Sequence, residues 1–591
     1  MLLTIDLTIK RDNFSMSFIQ HKGLVALLLF IVSFGVFAPS LKNDFVWDDH
    51  KFIIKRSSTL EASHITYRML MPELKRGKNI HYRPLMFISY VMDKKLWGIS
   101  PFGFHLSNII LHSISTILFY FMVLLVFGEF RVEKKREIAF LSSLLFALYP
   151  IHVEAVSFIS ARSDLLCGIF FFLAFIFYIL SQRRLWFLIL TAFCFYLSLL
   201  SKEAAVAFPI VALGFDLISR RFASRESILR YSILGVSILI YFYLRGRGYV
   251  IIPGVFSERF QLSVQEVVQI WEVLKVLLSS YLFYIKKLVF PFNINPFIAT
   301  LSIGFYDLVS SILVVILLCI IGFVSIRKRE GVTAFGILWI LATLGPSSLV
   351  AIFRVATMSV AERFLYIPSA GFCMLLGYLV IEAGKRIKAQ RIAWAFGLLL
   401  CISYLFFTVK GQGIWKNDLY LWEYASKRSP YDAIPHSNYA EALNSLGKMD
   451  QAIEEFSIAL NEGVRGTKKE KAAIANNLGH VYMDKKKEYS KAEEWFLKAL
   501  YYDPHYGATY YHVGLIYFLK GQAGNSVSDY RMAENYLNKA LYYKDARVLL
   551  SIVYSVLGEK EKARKLLEEN VLQRGLIKPP SNEGKKYLEN R

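Results

Sequence analysis

Two acids stand side by side, Asp48 and Asp49, just after the first membrane-length apolar run, in Asn43-Asp44-Phe45-Val46-Trp47-Asp48-Asp49-His50. A carboxylate beside a bilayer loses hydration, and a neighbouring carboxylate repels it. One of the pair therefore holds its proton at a higher pH than a free Asp does. A proton-accepting group at a lipid-linked reaction needs that property.

Other polar groups gather in short connections between apolar runs. His81-Tyr82-Arg83-Pro84 is followed by Asp93 and His105, with Asn108 and His112 on the same helix face as His105 by their spacing. Tyr149-Pro150-Ile151-His152-Val153-Glu154 leads to Ser160-Ala161-Arg162-Ser163-Asp164. Ser201-Lys202-Glu203 makes a tight turn, and Arg354 precedes Ala361-Glu362-Arg363-Phe364-Leu365-Tyr366. Such groups can hold a phosphate or orient a hydroxyl, and Arg offers a planar fork of donors to phosphate oxygens. The bland alternatives are an internal salt bridge in the 152–164 connection and hydrogen bonding between helices for His112. His152 and Glu154 are too few and too close to mark a metal site. Cys167, Cys194, Cys319, Cys373 and Cys401 form no Cys-x-x-Cys pair, so no metal is expected. There is no phosphate-cradling glycine loop and no serine-nucleophile elbow.

Helices spanning a membrane must position these groups. The chain has 591 residues, 55% of them hydrophobic, and a mean hydropathy of +0.40, too apolar for a soluble enzyme. Runs near 23–40, 105–127, 138–152, 165–181, 185–200, 203–219, 230–245, 305–326, 332–352, 364–384 and 392–409 approach bilayer-spanning length. The formal charge of +23 sits largely in short connections, a positive-inside pattern rather than a nucleic-acid footprint. Lys10, Arg11 and Lys22, Arg131 to Arg136, Arg183 and Arg184, Arg220 and Arg221, Arg327 to Arg329, and Lys385 to Arg391 share one side if there are eleven spans. That side is the cytoplasm, which puts Asp48, Lys202 and Arg363 outside. The segment 265–290 carries Glu266, Glu272, Lys275, Lys286 and Lys287 and reads as interfacial or re-entrant. The first run reads as a signal anchor.

After residue 411 the composition turns soluble, and a period of about 34 residues recurs with the tetratricopeptide pattern. Leu478, Gly479 and Tyr482 are answered by Ala492, Phe496 and Ala499, then Pro504. Tyr439, Ala440 and Leu443 with Ala452, Phe456 and Ala459 form an earlier unit; Gly514 and Tyr517 with Ala533, Leu537 and Ala540 form a later one. Tyr554, Gly558, Ala563 and Leu567 mark a degenerate last unit. Such units stack into a solenoid with a concave face that can hold a protein or peptide. The expected fold is all-α: a polytopic bundle of about eleven spans over 1–411, then a tetratricopeptide solenoid over 412–591.

Taken in order, Phe45-Val46-Trp47-Asp48-Asp49, Tyr82-Arg83-Pro84-Leu85, Leu96-Trp97-Gly98 with Pro101 and His105, His152-Val153-Glu154-Ala155-Val156, Arg162-Ser163-Asp164-Leu165, Ser201-Lys202-Glu203 and Ala361-Glu362-Arg363-Phe364-Leu365-Tyr366-Ile367-Pro368-Ser369 resemble the transmembrane-and-tetratricopeptide family of protein O-mannosyltransferases. The resemblance covers most of the chain. It implies a GT-C glycosyltransferase fold, a sugar donor on a polyprenyl or dolichyl phosphate, and inverting transfer to Ser or Thr hydroxyls. It gives Asp48 or Asp49, with Asp48 preferred, the role of base on the acceptor hydroxyl. Arg162, Lys202 and Arg363 become candidates for the lipid phosphate, within a wider substrate-binding set of Arg83, His105, His152, Glu154, Glu203 and Glu362. No cofactor is implied beyond the lipid-linked donor. The implied partners are membrane lipid, the polyprenyl-phosphate sugar and a protein or peptide acceptor on the repeats, with no nucleic acid. The one Asn-x-Ser/Thr sequon, Asn13-Phe14-Ser15, lies on the cytoplasmic side. That favours a bacterial inner membrane with a periplasmic site over the endoplasmic reticulum. A non-catalytic envelope scaffold and a lipid-glycan transporter are the competing readings.

Overall fold

The computed structural model describes residues 17–60, 82–221, 225–247, 266–298, 304–353 and 360–572, with 301 and 358. Arg354, His81 and Asn13 lie outside them. Among the described residues the fold is helical, save one isolated bridge between Asp432 and Arg465. The chain forms two compact units, Met1–Leu421 and Trp422–Arg591.

The first unit is a multi-pass membrane helix bundle. Among the described residues, seven of its helices have the length and composition to cross a bilayer: Lys22–Lys42, Pro101–Glu129, Ile159–Ser181, Glu226–Arg245, Phe305–Arg327, Gly331–Leu349 and Gln390–Trp415. Eleven spans were expected. The other four fold as the helices Lys135–Leu148, Phe187–Ser201, Phe208–Ile218 and Pro368–Arg386, and polar connections account for the difference. Pro150 and His152 stop the first of these, Lys202 the second, and the 3-10 turn Glu203–Ala207 delays the third. Pro368–Arg386 is long enough, but its last turns carry Glu382, Lys385 and Arg386. The segment 265–290 is the helix Glu266–Val289.

The bundle has two chemically distinct ends. At one, Glu129 bonds Arg183 at 3.1 Å and Arg221 at 2.6 Å, Glu133 reaches Lys385 at 2.5 Å, and Phe130 packs on Phe215 and Phe335. This gathers the basic connections on one side. Along the helix Pro101–Glu129, His105 lies about 36 Å away at 1.5 Å per residue, under the loop that holds Asp48.

Four helices finish at the basic end in the same way. Arg131, Arg220, Arg329 and Lys388 all have positive φ, between 53° and 61°. The residue after each donates back across the last turn: Val132 N–H to Phe127 O, Arg221 to Asp216, Glu330 to Ser325, Ala389 to Gly384, all at 2.8–2.9 Å. This is the Schellman cap, whose left-handed position ordinarily belongs to Gly. A side chain with a Cβ is disfavoured there by about 1–2 kcal/mol, and all four residues are exposed.

The second unit stacks helix pairs: Ala433–Ser445 with Met449–Leu460, Lys468–His480 with Tyr489–Tyr502, Gly507–Gly524 with Val527–Asn538, and Lys544–Val556 with Lys560–Leu572. Thr467 and Glu470 form a reciprocal capping box at the second pair. A Cβ on Gly479 would meet the Phe496 ring at 2.6 Å, so a small residue there lets the paired helices close.

Replacing Arg329 by Gly is expected to raise the unfolding free energy in micelles by up to about 1 kcal/mol, since the strained position is relieved and no buried contact is lost. A lower midpoint in denaturant would show that the guanidinium, not the backbone, governs this cap.

Candidate active site

The first connection is held by the segment that follows the last long span. Asp44 N–H donates to Lys416 O at 2.9 Å, Asn43 Nδ2 to Gln412 O at 3.4 Å, and Trp47 N–H to Asp418 Oδ1 at 2.9 Å. His50 Nε2 meets Asp418 Oδ2 at 2.6 Å. Trp47 has φ +52°, a genuine outlier for a bulky residue. Its indole stacks on Phe158 at 5.4 Å and 12°, and Phe158 stacks on Trp415 at 5.0 Å.

The two acids that follow meet different surroundings. Asp49 is fully buried and accepts three hydrogen bonds: Ser160 N–H at 2.8 Å, Ser160 Oγ–H at 2.5 Å and Val46 N–H at 3.2 Å. Burial pushes its pKa up to about 7 against the pull of those donors. Asp48 is half-buried and has no hydrogen bond among the described residues. Burial raises its pKa too, while the charges of Lys51 and Arg363 pull it down. Asp49 thus anchors the loop to the 158–161 turn, and Asp48 is the carboxylate left open.

Cations from four other stretches of chain each meet an acid. Arg363, on the 3-10 turn Glu362–Leu365, donates its backbone N–H to Glu154 Oε2 at 2.9 Å and bonds the same carboxylate through its guanidinium. Lys202 bonds Asp164 at 2.5 Å and lies 4.3 Å from the Phe364 ring centroid. Burial lowers the Lys202 pKa; Asp164 opposes this, and Arg83 and Arg363 add to it. Beside that pair is a narrow cleft of about 10 Å³, lined in part by Thr343, Ser347 and Phe364. Arg83 grips Glu203 with two nitrogens, at 2.8 and 3.3 Å, and reaches Ser163 Oγ at 3.4 Å. Lys287 bonds Glu362 at 2.5 Å, and Asn295 N–H donates to the same oxygen at 2.9 Å. Burial pushes Glu362 up to about 7 despite Lys287.

Glu154, Lys202 and Arg363 therefore come together, with Arg83, Glu203 and Glu362 bordering them and Asp48 within the field of Arg363. Arg162, His105 and His152 lie deeper. Arg162 is fully buried and its donors are taken inside the protein: Asp93 at 2.6 Å, Asn108 Oδ1 at 2.7 Å, Phe104 O at 2.8 Å and Ser89 Oγ at 3.2 Å. His152 bonds Ser369 Oγ at 2.8 Å amid Phe146, His112 and Tyr366. His105 faces the Asn43 and Asp44 carbonyls, with neither ring nitrogen in hydrogen-bond geometry. Two participants were not anticipated. Lys287 belongs to the segment 265–290, which the sequence marks only as interfacial or re-entrant. Asp418 stands in a stretch whose spacing carries no motif.

Comparison with known proteins agrees with the motifs. The chain is similar to protein O-mannosyl-transferases over most of its length. It is 27% identical to Protein O-mannosyl-transferase F38B6.6 of Caenorhabditis elegans, over 74% of this chain and 62% of that one. It is 27% identical to Protein O-mannosyl-transferase TMTC1 of Homo sapiens, over 78% and 57%, and 26% identical to TMTC4 of Mus musculus, over 73% and 65%. The chain thus spans about three-fifths of the length of these relatives. The tetratricopeptide repeat family profile matches residues 472–506.

Arg162→Leu is expected to destabilise the protein by about 3–5 kcal/mol, because Asp93 would be left buried and uncompensated; denaturant unfolding of the purified variant measures it. The raised acids give a pH signature. Folded Asp49 and Glu362 bind protons more tightly than the unfolded chain does, so the stability these two acids contribute is full below about pH 4 and is lost as pH rises towards 7. Between pH 4.5 and 7.5, thermal unfolding of Glu362→Gln should lose less stability, or gain more, than that of the native protein.

Proposed function

We propose that this protein is an integral membrane glycosyltransferase that moves a sugar from a polyprenyl- or dolichyl-phosphate donor to a hydroxyl acceptor on the non-cytoplasmic face. By its likeness to the O-mannosyl-transferases the sugar is mannose and the acceptor a protein Ser or Thr. One observation carries the reading. Asp48 is a half-buried carboxylate with no hydrogen bond among the described residues, on a loop braced at Trp47 and within the field of Lys51 and Arg363. An acid placed only for stability would be paired as Asp49 is.

In this scheme Asp48 removes the acceptor proton as the hydroxyl oxygen attacks the anomeric carbon. The bond from that carbon to the phosphate oxygen breaks on the opposite face, and the electron pair leaves with the lipid phosphate. One displacement gives inversion. Arg363 uses one guanidinium nitrogen and its backbone N–H on Glu154, which fixes the side chain and leaves donors for phosphate oxygens. Lys202, beside the cleft, supplies a second positive charge for the leaving group. The tetratricopeptide unit offers the kind of concave surface that holds a protein or peptide acceptor. A periplasmic location fits this orientation, with the endoplasmic reticulum lumen as its eukaryotic counterpart.

Asp48→Asn in proteoliposomes containing a mannosyl-phosphoryl polyprenol and a Ser/Thr-rich peptide is expected to lower transfer by about 10²–10⁴-fold with folding intact. Because burial raises the Asp48 pKa and the base must be ionised, the acid limb of kcat/KM should lie above the ordinary Asp range. Unchanged transfer in Asp48→Asn at equal protein levels would favour a scaffold.

A further inference from the structure

We infer that Asp418 is a positioning residue for the Asp48 carboxylate, an inference that rests on the catalytic role proposed for Asp48. Asp418 is the first residue of the helix Asp418–Arg428. Its two carboxylate oxygens take different partners in the first connection: Oδ1 accepts the Trp47 N–H at 2.9 Å, and Oδ2 meets His50 Nε2 at 2.6 Å. These contacts bracket Asp48 and Asp49 from both sides. The neighbouring bonds from Asp44 N–H to Lys416 O and from Asn43 Nδ2 to Gln412 O keep the same two segments in register.

The brace has a specific task. Trp47 holds a left-handed backbone, and such strain persists only where the surroundings over-determine it. The Trp47 indole is fixed by Phe158, but its backbone N–H is fixed by Asp418. That twist sends two consecutive carboxylates to different places. Asp49 turns inward to Ser160, and Asp48 stays half-exposed with no such anchor among the described residues. Without the acceptor at Asp418, Trp47 can relax to an ordinary φ, and the Asp48 carboxylate swings off line while Asp49 and Phe158 still hold the loop to the bundle. A general base misplaced by about 1 Å can lose on the order of 10²-fold in rate.

The test uses the full chain in detergent micelles. Asp418→Ala is expected to lower kcat by about 10²-fold, leave the donor KM unchanged, and speed amide hydrogen exchange in 43–50 but not in the helix Pro101–Glu129. Asp418→Asn should restore most of both, because its amide can accept from Trp47 N–H and donate to a neutral His50 ring. The inference is overturned if Asp418→Ala keeps native turnover and loop exchange while Asp48→Asn is inactive. It is equally overturned if exchange rises along the whole chain, since Asp418 would then support the fold rather than the loop. Full turnover in Asp48→Asn would remove the catalytic reading itself, an outcome separable from the first because the exchange measurement does not depend on activity.

Discussion

A charge at the edge of an apolar bundle has to be answered, by an opposite charge or by hydrogen bonds, or it gives up its charge. Five acids of the site end obey this through pairs: Asp93 with Arg162, Glu154 with Arg363, Asp164 with Lys202, Glu203 with Arg83, and Glu362 with Lys287. Each partner comes from a different stretch of chain, so each pair also ties two parts of the bundle together. Asp49 is answered by hydrogen bonds alone. Asp48 has neither answer in full, and the structure tolerates it only because it is half-exposed. The groups that make the site chemically interesting are thus the groups that fasten the helices.

The order of apolar runs, the side on which the basic residues fall and the tetratricopeptide units were all legible in the sequence, because each is a local pattern. Phe496, Ala499 and Leu478 are buried as the repeat requires. Span count was less legible. A stretch such as 203–219 reads as one apolar run, yet Glu203 is drawn into its pair with Arg83 and the α-helix begins only at Phe208. The site was half legible for the same reason. Motifs located Asp48, Glu154, Lys202 and Arg363, but spacing along a chain does not say which arginine turns inward. Arg162 finds Asp93 sixty-nine residues earlier and is buried whole. Asp418 and Lys287 join through long-range contacts that leave no local trace.

The likeness to O-mannosyl-transferases and the geometry constrain each other. Similarity alone does not distinguish Asp48 from Asp49, since both lie in the same short motif. The hydrogen bonds do, by assigning one acid to the architecture and leaving the other open. Conversely, a half-buried carboxylate in the field of an arginine is a common arrangement, and it takes on a sugar-transfer role only under the function proposed above.

The four left-handed helix ends remain. Arg131, Arg220, Arg329 and Lys388 occupy positions where glycine would be easier. In the finished molecule their exposed side chains support no buried structure. Under the positive-inside rule a cation at such a turn bears on which way a hairpin crosses the bilayer, a demand that acts on charge and not on φ. On that reading the backbone tension at these four ends follows from keeping a cation where glycine would relax.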